Sequence, residues 1–192
     1  MTIQWMLSSF ANEGKAFFIA IWAAGFLLLM KSEKAKVYQI LTVVFSVAAI
    51  LPYAGISFFS EMGIGDIDIE QCLMELPTWQ SMTTQNRIAF FWWIASVLFT
   101  LVLLWKVTGH SVFISMVFLG GIASEAVLHF SPTIYASGAR VYYLTDLMYL
   151  FIILWMVMHM DSEKKKNLFI AGVVVLGVAN FLSQYSVILL KL

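Results

Sequence analysis

Side chains whose types and spacing suit chemistry are concentrated in residues 120–146. Glu125 and Asp146 are carboxylates inside two strongly apolar segments, and His129 follows Glu125 by four residues. On a helix, that spacing places Glu125 and His129 on one face. Arg140 adds a cation at the start of the second segment. A carboxylate can act as a general base, hold a metal ion or carry a proton, and an arginine can hold a phosphate.

Both carboxylates are expected at the same depth between adjacent antiparallel helices. Pro132 ends the first helix because it lacks an N–H group. Glu125 precedes Phe130 by five residues and Asp146 follows Arg140 by six. At about 1.5 Å per residue, each carboxylate lies roughly 8–9 Å below the same mouth. This predicts an outward-facing polar pocket with Glu125 as base and Arg140, beside the free N–H groups of a helix start, as phosphate ligand. The alternative is a structural brace between these residues.

Further binding candidates flank this pair. Tyr135 offers a hydroxyl or a face on which a sugar could stack, and Ser137 lies in the same turn. His129 and Asp146 complete the predicted substrate-binding set. A proton or cation path through Glu125, His129 and Asp146 is an open alternative, because ionisable residues inside apolar spans often mark such paths.

A second acidic group occurs earlier in the chain. Asp66 and Asp68, followed by Glu70, could hold a divalent cation, and Asp66 is the second candidate for the catalytic acid or base. The same spacing also describes a solvated helix start. A divalent cation is therefore the one cofactor that the sequence suggests.

Composition indicates an integral membrane protein. Hydrophobic residues make up 61% of the 192 residues and charged residues only 11%, against roughly half and a quarter in average chains. The mean hydropathy is +0.89. The formal net charge is zero, which does not suggest a nucleic-acid partner. The lone cysteine, Cys72, excludes an intramolecular disulfide and any multi-cysteine metal site.

The apolar segments predict an all-α, polytopic fold with six transmembrane helices in a single membrane domain, residues 1–192. A long acidic loop at 60–86 and a turn at 131–140 are expected on the outer side. Within the spans, Gly120, Gly121, Ala123 and Ser124 predict a close helix–helix approach. The aromatic cluster at 90–93 is expected near a membrane interface. The spans are predicted at about 15–30, 37–59, 88–105, 111–130, 140–160 and 168–190.

Lysines are concentrated in alternate loops and predict the orientation. The segments 31–36, 106–110 and 161–166 hold seven lysines, whereas the other two loops hold only Arg87 and Arg140 at their ends. The positive-inside rule places the lysine loops in the cytoplasm. Both termini, the acidic loop and the turn at 131–140 are then expected outside, in a multi-pass protein of a bacterial inner membrane.

The segment from Glu125 to Arg140, which contains FSPTIYASG, resembles part of large bacterial polytopic proteins. Those proteins are described as glucosyltransferase-like, are associated with cell-surface polysaccharide and look like the GT-C class of membrane glycosyltransferases. The resemblance covers some sixteen of the 192 residues. It implies a polyprenyl-phosphate sugar as substrate and an acidic residue in an early outer loop, for which Asp66 and Asp68 are the candidates. The chain has fewer predicted spans than such enzymes.

Three functional classes follow. The leading one is handling of a polyprenyl-phosphate-linked sugar or similar envelope lipid, as a glycosyltransferase or as its accessory protein. The second is a proton- or cation-coupled transporter. The third is a non-catalytic membrane subunit in which the same residues brace a fold that docks on a larger partner. The lipid bilayer is a partner in all three.

Overall fold

The described part of the chain consists of α-helices and short turns. A computed structural model describes residues 15–30, 32, 35–50, 84–128 and 143–190. The all-helical fold class is confirmed for these residues, which contain no strand. The helices are α1 (Lys15–Leu29), α2 (Lys36–Ile50), α3 (Thr84–Val107), α4 (Val112–Leu128), α5 (Tyr143–Met158) and α6 (Glu163–Leu190).

Each helix corresponds to one predicted apolar segment. The boundaries agree to within four or five residues, except that the second segment continues into residues 51–59, which are outside the described part. In the described part of the chain, no helix combines the length and the apolar character needed to cross a membrane. The six-span membrane arrangement stays a prediction.

Helix α1 is the centre of the bundle. It packs against α2, α3, α5 and α6. Its residues 18–22 are all buried, and so are Ala24, Leu27 and Leu29. A helix that is apolar on every side is typically one that is buried on every side. This explains why α1 has no polar face in the sequence.

Aromatic rings join α1 to its neighbours. The ring of Phe18 lies 5.9–6.0 Å from those of Trp93 on α3, Phe118 on α4 and Tyr149 on α5. Edge contacts of this kind stabilise a core beyond the burial of apolar area. On α2, Phe45 stacks on Phe99 of α3, with ring centroids 4.6 Å apart. Phe18 and Phe45 therefore connect five helices through their ring contacts.

The aromatic cluster at 90–93 was expected near a membrane interface, which stays a prediction, and the structure shows that its rings differ in burial. Trp93 is completely buried against Phe18, and Trp92 is partly buried and stacks on Phe45. Phe91, in contrast, is exposed. The difference arises because successive helical residues point in different directions, so a run of four aromatic residues cannot lie on one face.

Three helix-to-helix turns lie at one end of the bundle. Residues from the ends of α1, α3 and α5, among them Leu28, Thr108 and His159, line one common groove. The α3–α4 turn contains two successive left-handed residues, Gly109 (φ 63°) and His110 (φ 71°). Glycine adopts this conformation readily, whereas a residue with a Cβ rarely does. We call this end, which carries Lys36, Lys106 and Lys164 to Lys166, the lysine end.

Candidate functional site between α4 and α5

Helices α4 and α5 are closely packed, because a glycine faces the crossing. A Cβ atom placed on Gly121 would lie 3.2 Å from Cε1 of Tyr149 and 3.7 Å from Cγ2 of Thr145. Gly120 is less crowded, with Sδ of Met148 3.7 Å from such a Cβ. The predicted close approach is therefore confirmed for these glycines. It is wrong for Ala123, which is exposed.

Hydroxyl groups join the two helices at this crossing. The Ser124 and Thr145 oxygens are 3.1 Å apart. Thr145 donates to the carbonyl oxygen of Gly121 at 3.2 Å, and Ser124 donates to the same carbonyl at 2.9 Å. Polar groups of this kind hold apolar helices together, because few other hydrogen-bond partners are present between them. We call Gly121, Ser124 and Thr145 the hydroxyl seam.

The seam sets the relative height of the two candidate carboxylates. Ser124 directly precedes Glu125, and Thr145 directly precedes Asp146. Because the two hydroxyls are in contact, the backbones of Glu125 and Asp146 lie at about the same level of antiparallel helices. Asp146 is partly buried in the first turn of α5. The side chain of Glu125 lies outside the described part of the structure.

The remaining predicted site residues are outside the described part of the structure. His129, Tyr135, Ser137 and Arg140 lie outside the described residues, so the expected Glu125–Arg140 pair stays a prediction. Asp66 and Asp68 also lie outside them. Among the residues that the structure describes, no cluster of three or more His, Cys, Asp or Glu side chains could hold a metal ion.

A second row of buried polar groups lies on α3. Trp22 of α1 donates from Nε1 to Oγ1 of Thr100 at 2.8 Å, and Thr100 donates to the carbonyl oxygen of Ser96 at 2.7 Å. Trp93 Nε1 and Ser96 Oγ are buried, and neither has a hydrogen-bond partner in the described part of the chain. Such groups cost about 1–3 kcal/mol each when nothing satisfies them. This face of α3 therefore carries polar groups inside a mostly apolar core.

Sequence reasoning found the seam's small residues but not its hydrogen bonds. Thr145 was not identified, because a threonine in an apolar helix usually bonds to its own backbone and carries no distinguishing signal. Its contact with Ser124 is visible only once the register of α4 and α5 is known. The same holds for Trp22 and Thr100, which are 78 residues apart.

Taken together, the described geometry is a hydroxyl-bonded helix crossing that brings two carboxylate positions to one level. No family model, no curated protein and no solved structure matches this chain.

Proposed function

We propose that this chain is a membrane-embedded helical bundle that handles an envelope lipid phosphate at the end opposite the lysine end. The membrane part of the proposal is supported by the apolar outer surface of the bundle. Exposed large apolar residues occur on every helix from α2 to α6; Val37, Ile40, Phe113, Met116, Leu154 and Val175 are examples. Proteins that fold in water rarely expose contiguous apolar patches larger than a few hundred Å². The polar side chains Thr100 and Thr145, in contrast, are buried.

The orientation is supported by the grouping of lysines. The turns that carry them share one end of the bundle, which the positive-inside rule assigns to the cytoplasm. The turn at 131–140, the loop at 60–86 and both termini then lie on the outer side of a bacterial inner membrane.

Cysteine labelling in a Cys72→Ser background tests this orientation. Ser137→Cys should react with an impermeant maleimide in intact cells, and Asn167→Cys, exposed near the start of α6, should react only after lysis. Labelling of Asn167→Cys from outside would reverse the orientation.

The proposed function rests on one observation: the hydroxyl seam places the backbones of Glu125 and Asp146 at about the same height along α4 and α5. In the proposal, Arg140 binds the phosphate of a polyprenyl-phosphate sugar at the start of α5, and Glu125 or Asp66 acts as the base. His129, Tyr135, Ser137 and Asp146 contact the sugar, and Asp66 with Asp68 holds a divalent cation if one takes part. The protein would act as a glycosyltransferase or as an accessory subunit of one.

Thermal unfolding in detergent tests the phosphate site. Farnesyl phosphate should raise the melting temperature in a saturable way, because a ligand at a hundred times its Kd adds about 2.7 kcal/mol of stability. Farnesol, which lacks the phosphate, should not. Arg140→Gln should abolish the shift. Lys164→Gln, which removes an exposed cation at the opposite end, should preserve it. An equal shift with farnesol, or one that survives in Arg140→Gln, would refute the site.

A second candidate function is proton or cation transport. It is favoured by the position of Asp146, which is partly buried and directly follows the Thr145 hydroxyl of the seam. Proton flux into liposomes that Asp146→Asn abolishes would support transport. A purified complex with a larger membrane protein, with neither flux nor a farnesyl phosphate shift, would indicate the non-catalytic subunit.

A further inference from the structure

The lysine end contains a groove that the proposed function does not use. It has a volume of about 480 Å³, within the roughly 300–1,000 Å³ of typical small-molecule sites. Leu28 of α1, Val107 of α3 and Trp155 of α5 give it an apolar wall. Thr108, His159 and Asp161 are polar residues of its lining. A ligand of this groove should therefore be amphiphilic.

Asp161 carries the formal negative charge of the lining. Beside it, the ring of His159 stacks on Trp155, with centroids 3.9 Å apart, and its Nδ1 lies 2.8 Å from the Trp155 carbonyl oxygen. A carbonyl oxygen only accepts, so Nδ1 carries the proton and Nε2 of a neutral His159 is an acceptor. Asp161 and His159 thus offer acceptors to a ligand that donates several hydrogen bonds, as a primary ammonium group does.

A cation that is not part of the groove's lining is bonded to a residue next to that lining in sequence. Lys165 donates from Nζ to the carbonyl oxygen of Leu27 at 2.6 Å, and Leu27 directly precedes the groove-lining Leu28. An ammonium group has three donors, so two remain after this bond. Lys165 is half-buried, and its contact with α1 holds it in place. Lysine is a common ligand of phosphate groups.

We propose that this groove binds the headgroup of a zwitterionic phospholipid that carries a primary ammonium, such as phosphoethanolamine. The ammonium contacts Asp161, the phosphate contacts Lys165, and the start of the acyl chains lies against Leu28 and Val107. Both charges of the headgroup then meet an opposite charge, whereas a phosphoglycerol headgroup has no cation for Asp161. This inference rests on the proposed membrane location, but its residues are separate from those proposed to bind the lipid phosphate, so the two sites can be tested independently.

Calorimetric titration of the purified full chain in a nonionic detergent tests the proposal. Dihexanoyl phosphatidylethanolamine should bind at least about tenfold more tightly than dihexanoyl phosphatidylglycerol, because only the former pairs with a carboxylate. Asp161→Asn should abolish this preference. Glu163→Gln is the matched control. Glu163 is an exposed acid two residues away that pairs with Lys166 at 2.9 Å and does not line the groove. This variant should keep the preference.

Equal affinity for the two lipids in the unaltered chain would overturn the proposal. So would a preference that persists in Asp161→Asn or is lost equally in Glu163→Gln. Soluble phosphoethanolamine has the headgroup but no acyl chains, so it distinguishes a free headgroup compound from a phospholipid as the ligand. Binding as tight as that of the lipid would show that the apolar wall contributes nothing and would overturn the assignment to a phospholipid. Much weaker binding would support it.

Discussion

At the scale of single residues, the hydrogen bond from Trp22 to Thr100 links α1 to α3 across the core. Thr100→Val keeps the shape but leaves the Trp22 N–H group buried without its acceptor, which costs about 1–3 kcal/mol. Thr42→Val is the control, because in the described part of the chain the equally buried Thr42 hydroxyl bonds within α2, to the Tyr38 carbonyl oxygen. Thermal unfolding in detergent should show a clearly larger loss for Thr100→Val. Equal losses in the two variants would show that the α1–α3 bond contributes nothing.

Two adjacent glycines of α4 should respond differently to the same substitution. Gly120→Ala should be neutral or stabilising, because its Cβ has room and alanine favours a helix by up to about 1 kcal/mol. Gly121→Ala forces the buried Tyr149 ring to move, and overpacking typically costs about 1–3 kcal/mol. Gly121→Ala should therefore melt at the lower temperature. If both variants melt alike, the close approach of α4 and α5 at Gly121 is wrong.

At the scale of elements, α6 is tied to α1 by the Lys165 ammonium, which caps a carbonyl group in the last turn of α1. Cations favour this position because helix carbonyls there have no partner in the helix. Lys165→Gln should lower the stability by about 1–2 kcal/mol, as measured by unfolding. Lys164→Gln, on the exposed side of α6, should change little. Equal stability of the two variants would show that the bond from Lys165 to α1 does not stabilise the fold.

Along α6, the apolar side chains change from buried at Phe169 to exposed further on. Phe169 is buried, but Ile170, Val174 and Val178 are exposed, and a Cβ on Gly172 or Gly177 would meet nothing within 4 Å. The corresponding Cβ on Gly25 of α1 would lie 2.8 Å from the Leu103 side chain. Glycines in α1 and α4 thus permit close helix contacts. The glycines of α6 have no such contact in the described part of the chain.

At the scale of the whole molecule, the apolar outer surface gives the proposed membrane location a direct test. Val44 is 52% exposed in the middle of α2. A lysine at the centre of an inserted helix costs about 2.5–3.5 kcal/mol, so Val44→Lys should reduce the amount of chain that stays in membranes after an alkaline wash. Asn167→Lys, exposed at the lysine end, should not. Full retention of Val44→Lys would argue against insertion of α2.

The sequence by itself determined that the chain is helical and where each described helix lies, because long apolar segments separated by polar turns leave few other arrangements. It also identified the small residues Gly120, Gly121 and Ser124 at the α4–α5 contact. These are local properties, which depend on residue type and spacing along the chain. The predicted membrane spans and the roles of Glu125, Arg140 and Asp66 depend on surroundings that local patterns do not specify.

Only the tertiary structure decided which helix is central. All the helices are strongly apolar, so hydrophobicity could not distinguish α1, which is buried on nearly every side, from α2, which exposes Val37, Ile40 and Val44. The tertiary structure also decided that Trp93 is a core residue, that Thr145 meets Ser124, and that Lys165 reaches α1. Each is a contact between segments distant in sequence, and it follows from the rotation and register of packed helices, which composition and periodicity leave open.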